Sequence, residues 1–187
     1  MAENDIGACV FTSYHNINYY SGFLYCYFGR PYGLVVTPET STVVSAGIDA
    51  GQPWRRSLGS DDCVTFTDWQ RDNFFHAVQN IIGDVPGSIG LEYDHVTPIN
   101  YAKFHAALPE NTKTDIGEPT MRMRMIKSAE EIEVIKHGAH TADLGGAAVV
   151  EALTENVPEH EVALHSTRTM VRHIANTFPD VELMDSK

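Results

Sequence analysis

The sequence predicts a mixed α/β domain over residues 1–119, followed over residues 120–187 by a linker and the truncated start of a second, helix-bearing domain. Two observations carry this. Short β-branched runs alternate with helical patterns as far as Leu108, and beyond Glu118-Pro119 that alternation gives way to two long amphipathic stretches.

Residues 6–12, Ile-Gly-Ala-Cys-Val-Phe-Thr, form an apolar run suited to a central strand. A polar and aromatic segment follows from Ser13 to Tyr20. Residues 32–37 and 42–47 are β-branched runs either side of Pro38-Glu39-Thr40-Ser41, which predicts a hairpin with Pro38 in the turn, where its missing N–H costs no ladder bond. Cys63 to Thr67 reads as another strand. Asp72 or Asn73 then caps a helix carrying Phe74, Phe75, Val78 and Ile81 or Ile82, which Gly83 stops. Residues 88–92 read as a strand, and residues 100–108 as a helix with Phe104 and Leu108 on one side.

After Pro119, Ser128 can cap the N–H groups of a long helix while Glu131, three residues on, reaches back to the Ser128 N–H. Ile132, Ile135, Ala139, Ala142, Val149 and Leu153 are expected on its buried side, and Gly145-Gly146 should admit a close neighbour. A second helix is expected over residues 159–178, with Val162, Ser166, Met170 and Ile174 in line and Pro179 beyond. Few residues remain to begin a sheet over these helices, so the chain is expected to stop within a domain.

Composition narrows the function classes. The chain of 187 residues is 43% hydrophobic and 20% charged, ordinary for a folded protein. Thirteen basic against 25 acidic residues give a net charge of -12, which disfavours a phosphate backbone as partner. There is no long apolar run and no basic leader before an apolar stretch, so a cytoplasmic protein with no membrane partner is expected. Cys9, Cys26 and Cys63 are odd in number and widely spaced, which suits free thiols rather than a disulfide framework or zinc knuckle.

The nine histidines include no H-E-x-x-H array, and His160 and His165 lie five apart, so no metal site is expected within these residues. The Asp61-Asp62 and Glu130-Glu131 pairs read as solvated, not as proton-transfer dyads. No Gly-rich phosphate loop follows the first strand. The unusual segment is 16–32, dense in aromatics with the single cation Arg30. It reads either as a packed cluster around a satisfied arginine or as a pocket wall for a small anion. In the second reading the Arg30 fork meets a carboxylate and Phe28 offers an apolar surface to a neighbouring methyl.

The runs at 11–20 and 51–56, Phe28-Gly29-Arg30-Pro31-Tyr32, Thr67-Asp68-Trp69-Gln70-Arg71-Asp72-Asn73, the Met121 to Glu131 segment, and Val181-Glu182-Leu183-Met184-Asp185 closely resemble the creatinase group of the pita-bread, metallopeptidase-like hydrolases. The likeness extends over practically the whole chain. The Met121 to Glu131 segment is shared in looser form by proline-specific peptidases; the approach to Arg30 is more specific. The resemblance implies a creatinase/prolidase-type N-terminal domain followed by the first helices of an incomplete pita-bread α+β domain. It implies hydrolysis of creatine to sarcosine and urea without a metal or other cofactor, in a homodimer whose N-terminal domain reaches the partner's active site. It also implies that Phe28 and Arg30 bind creatine or a related small carboxylate. No catalytic residue is expected in this chain: the catalytic histidine and the glutamates that hold the guanidinium are expected beyond Lys187. A helix ahead of Ile6 and most of the large domain are missing from the family pattern, so the chain is expected to be a fragment. The rival readings are a metal-dependent, proline-specific peptidase relative and a non-catalytic binding remnant.

Overall fold

The computed structural model describes residues 1–24, 29–57, 61–67, 69–70 and 72–181. They form two compact units, Met1–Met125 and Ile126–Lys187.

The first unit is built on a six-stranded sheet: β1 (Ile6–Phe11), β2 (Gly33–Val36), β3 (Ser41–Ala46), β4 (Asp62–Phe66), β5 (Ser88–Leu91) and β6 (Lys113–Asp115). The spatial order is β4-β3-β2-β1-β5-β6. β1 and β3 each pair antiparallel with β2, whereas β1 with β5, β3 with β4, and β5 with β6 are parallel. Among these strands, therefore, β2 alone runs against the rest. The expected hairpin is β2–β3, and its turn is held by the Thr37 N–H donating to the Thr40 carbonyl at 2.8 Å.

Alternation along β1 sends Ala8 and Val10 to one face and Cys9 and Phe11 to the other. On the first face α3 (Asn73–Ile82) and α4 (Pro98–Ala107) supply Phe74, Phe75, Val78 and Phe104. On the second, α1 (Tyr14–Ser21) supplies Ile17, and the chain after it supplies Phe23 and Tyr32. Both faces are covered, so the inward strand positions are mostly apolar, with Thr42, Ser45 and Ser88 the buried polar side chains among the described strand residues.

Local chemistry explains where the observed elements depart from expectation. Asp72 stands at the cap position of α3 in helical conformation and makes no capping bond; its carboxylate pairs instead with Lys103 Nζ at 2.5 Å. α4 begins earlier than expected because Thr97 caps it, accepting from the Asn100 N–H at 3.3 Å, and Pro98 suits the first turn. Three helices and a strand were not expected from the sequence: α1, α2 (Gly51–Arg56), β6 and α5 (Gly117–Met125). α1 has eight residues and no clean apolar period, and β6 has only Lys-Thr-Asp. α5 is held against α1 by Asn16 Nδ2 donating to Thr120 Oγ1 and the Tyr20 hydroxyl donating to Met123 Sδ, both at 3.5 Å.

The second unit is a helical hairpin of α6 (Ala129–Ala152) and α7 (Glu159–Thr177). The Ser128 box closes as expected: Glu131 N–H donates to Ser128 Oγ at 3.2 Å, and Ser128 N–H to Glu131 Oε2 at 2.7 Å. The expected buried stripe on α6 is not the observed one. Thr141, Gly145 and Ala148 are buried, whereas Ile132, Ile135 and Leu153 are 42%, 54% and 63% exposed. Small residues win the contact because they let the helix axes approach. A Cβ on Gly145 would lie 2.6 Å from Met170 Sδ, and the Ser166 hydroxyl donates to the Gly145 carbonyl at 2.9 Å. Gly146 plays no such part, since nothing lies within 4 Å of the position its Cβ would take. The α7 residues Val162, Ser166, Met170 and Ile174 are half-buried, as their spacing predicts.

No α7 residue is fully buried. Hydrogen exchange of the purified chain should therefore find α6 and α7 opening more readily than β1, β2 and β5, whose cores are closed on both faces. Equal protection of both units in a proven monomer would contradict this.

Candidate binding edge at the carboxyl ends of β1 and β5

Strand direction brings the relevant residues to one edge. Phe11, the last residue of β1, pairs with Leu34 near the start of β2. The segment entering β2, with Arg30 upon it, therefore lies at the carboxyl edge of β1. Phe23 and Tyr32 flank this segment as buried anchors, in edge-to-face contact with ring centroids 5.8 Å apart. Arg30 itself is exposed. Gly29 before it has φ +68°, a left-handed conformation that side chains rarely adopt. Phe28 and Cys26 lie outside the described residues.

Beside this segment lies a buried carboxylate that sequence reasoning did not single out. Glu92 follows β5 directly and is 1% exposed. Its Oε2 accepts from the backbone N–H of Thr12 at 2.5 Å and of Ser13 at 2.9 Å; its Oε1 accepts from the Ser13 hydroxyl at 2.5 Å and from Asn16 Nδ2 at 2.6 Å. Ser13 in turn caps α1, accepting from the Asn16 N–H at 3.3 Å. Asn16 Nδ2 also approaches Thr120 Oγ1 on α5 at 3.5 Å, and His95 Nδ1 lies 3.0 Å from Thr12 Oγ1.

This position has a meaning in α/β folds. From β1 the chain proceeds outward through β2, β3 and β4, then returns by α3 to place β5 on the other flank of β1. The crevice between the carboxyl ends of β1 and β5 is thus a switch point, where such sheets usually receive ligands at a helix N-terminus. Here the chain's own Glu92 supplies the anion to the N-terminus of α1. The signal for Glu92 was present only as Ser13 and Asn16 at capping spacing; their partner lies nearly eighty residues away.

Other candidate groups have structural duties. Asp115 Oδ1 accepts from the N–H groups of Tyr93 at 3.2 Å and Gly117 at 2.9 Å. Asp61 Oδ2 accepts from the Ser41 N–H at 2.7 Å. Burial pushes the Cys9 thiol up to about 11, so it is a packing group and a poor nucleophile. Cys9 is buried and Cys63 half-buried, and neither is in a disulfide. His165 approaches Glu151 at 3.8 Å and His160 approaches Glu161 at 3.5 Å, both in exposed settings. Among the described residues no three His, Cys, Asp or Glu side chains gather to hold a metal, and no helix is long and apolar enough to cross a membrane. A cleft of about 370 Å³ lies at the opposite edge, lined by Asp5, Ile6, Thr37, Glu39, Val85 and Pro86.

The model of the Creatinase/Prolidase N-terminal domain matches residues 1–126, almost the extent of the first compact unit. A curated relative, "Creatinase" of Bacillus sp. (strain B-0618), is 53% identical over 189 residues; the match covers 100% of this chain and 46% of the relative. The chain thus spans about half the length of that relative. Among solved structures, the prolidase of Pyrococcus horikoshii OT3 superposes with a TM-score of 0.72 at 22% identity, covering 92% of this chain and 46% of the other. The X-Pro aminopeptidase of Thermotoga maritima MSB8 gives 0.73 at 18% identity, with 89% and 47% covered. At these identities the two structures establish the shared fold alone.

Proposed function

Because the chain belongs to the Creatinase/Prolidase N-terminal domain family, we propose that it is the substrate-contacting portion of a creatinase-like hydrolase, which converts creatine and water to sarcosine and urea. The observation that carries this reading is the 53% identity to a creatinase along the entire chain. In this reading residues 1–119 form the N-terminal domain and residues 120–187 the linker and opening helices of the catalytic domain.

The role of this chain is to bind and orient. Arg30 is an exposed guanidinium beside anchored aromatic residues, suited to a small carboxylate that arrives from another domain or subunit. Its two-pronged geometry fixes creatine in rotation as well as position, and Phe28 provides an apolar surface for the N-methyl group. Orientation matters because water must reach the guanidinium carbon while a proton reaches the departing sarcosine nitrogen. The residue that shuttles the proton belongs to the catalytic portion, and the complete enzyme works as a homodimer, with one subunit's Arg30 serving the other's site.

Urea release from creatine is the direct test. The chain extended by the catalytic portion of its Bacillus relative should turn creatine over, and the 187-residue chain alone should not. Turnover of Xaa-Pro dipeptides but not creatine by the extended protein would overturn this reading.

A further inference from the structure

On the first unit, α1 and α5 present two strong hydrogen-bond donors that, among the described residues, have only thioether sulfurs for acceptors. The Tyr20 hydroxyl donates to Met123 Sδ at 3.5 Å, and Arg124 Nη2 donates to Met121 Sδ at 3.7 Å. Sulfur is a weak acceptor, and a guanidinium ordinarily finds an oxygen. Arg124 Nε is sealed from water and, among the described residues, has no hydrogen-bond partner. Among the described residues, Lys103, Arg122 and Lys136 each reach a carboxylate within 2.7 Å, and Lys113 reaches two backbone carbonyls; Arg124 reaches no oxygen. That is unexpected in a chain with 25 acidic and 13 basic residues.

The two donors belong to one locality. Asn16 and Tyr20 are one turn apart on α1 and meet Thr120 and Met123 on α5, with Arg124 adjoining. The Tyr20 phenol is raised above its ordinary pKa chiefly by burial and by Tyr19, and the Arg124 charge opposes that rise, so the guanidinium acts on the hydroxyl. Tyr20 and Arg124 are both half-buried, which leaves an approach from outside.

We propose that Tyr20 and Arg124 form a binding site for a single carboxylate, one oxygen on the guanidinium and the other on the phenol. A monoanion is favoured over phosphate because one guanidinium supplies one positive charge, within a chain of net charge -12. Two sources share this chemistry: a free small carboxylate, or an Asp or Glu side chain of a second copy of this chain. The proposal uses neither Arg30 nor the creatine reading.

The test follows the Arg124 Nε–Hε resonance of the purified 187-residue chain while acetate, phosphate or chloride is added at constant ionic strength. Acetate should move it saturably and more tightly than phosphate, with chloride ineffective. Arg124→Gln should weaken acetate binding, read from the Tyr20 ring resonances, by roughly tenfold or more, and Tyr20→Phe by a smaller factor, with both variants melting as the parent does. If a variant melts lower, Arg124→Lys decides: it keeps the charge but not the fork, and should bind acetate more weakly than the parent. A carboxylate from a second copy would instead move the same resonance as protein concentration rises, together with a change in sedimentation, and acetate would reverse it. No saturable shift from either source, equal binding by Arg124→Gln, or phosphate tighter than acetate would overturn the proposal.

Discussion

Arg30→Ala, in the chain joined to the catalytic portion of its Bacillus relative, is expected to raise the creatine requirement steeply while leaving thermal unfolding nearly unchanged. The substitution removes a charge-assisted carboxylate contact worth roughly 2 to 5 kcal/mol once the complex excludes water, which is at least tenfold in kcat/KM. The fold should tolerate it because the Arg30 side chain is exposed and the neighbouring anchors, Phe23 and Tyr32, are untouched. Arg30→Lys should recover only part of the loss, since lysine keeps the charge without the planar fork. Creatinamide, whose carboxylate is neutralised, provides the control: its turnover should hardly respond to either substitution. Equal losses toward both compounds, or a lowered melting temperature with unchanged creatine kinetics, would remove Arg30 from the role of carboxylate clamp.

Glu92→Gln carries the largest expected effect on stability. The carboxylate accepts four short hydrogen bonds from Thr12, Ser13 and Asn16 in a site closed to solvent. An amide presents its NH2 group to donors that need an acceptor, leaving at least one N–H buried and unpaired. The expected loss is roughly 3 to 5 kcal/mol, which lowers the melting temperature of a unit this size by on the order of 10 °C. Glu118→Gln is the comparison: that carboxylate is 73% exposed and pairs with Arg122 on the surface, so the melt should scarcely move. A Glu92→Gln protein that melts with the parent would mean that the network is incidental to holding α1 against the sheet.

Much of the architecture was legible because the signals were local. Strands β1, β2, β3 and β5 announce themselves as β-branched or apolar runs bounded by turn residues, and α3 by its apolar stripe and terminal Gly83. The Ser128 capping box could be read from two residues three apart, since both of its bonds close within one helical turn. What escaped was short or weakly patterned. α1 and β6 are stabilised by what they pack against, so propensity alone could not reveal them. On α6 the large apolar residues suggested the buried side, yet Thr141, Gly145 and Ala148 make the contact because helix approach depends on how little a side chain protrudes.

The functional residues divide along the same line. Arg30 could be marked from the sequence by itself, as the lone cation in an aromatic segment, because its meaning lies in residue type and immediate neighbours. Its place at the carboxyl edge of β1 could not, since that follows from the antiparallel entry of β2. Glu92 was unremarkable in the sequence, and nothing there paired Tyr20, within its aromatic segment, with Arg124, within the Met121 to Glu131 run. Only the tertiary structure brings Glu92 to the N-terminus of α1 and sets Tyr20 against Met123 of α5, next to Arg124. A buried carboxylate or a phenol that meets only a sulfur among the described residues acquires its chemistry from groups remote along the chain, and those distances are closed by packing rather than by pattern.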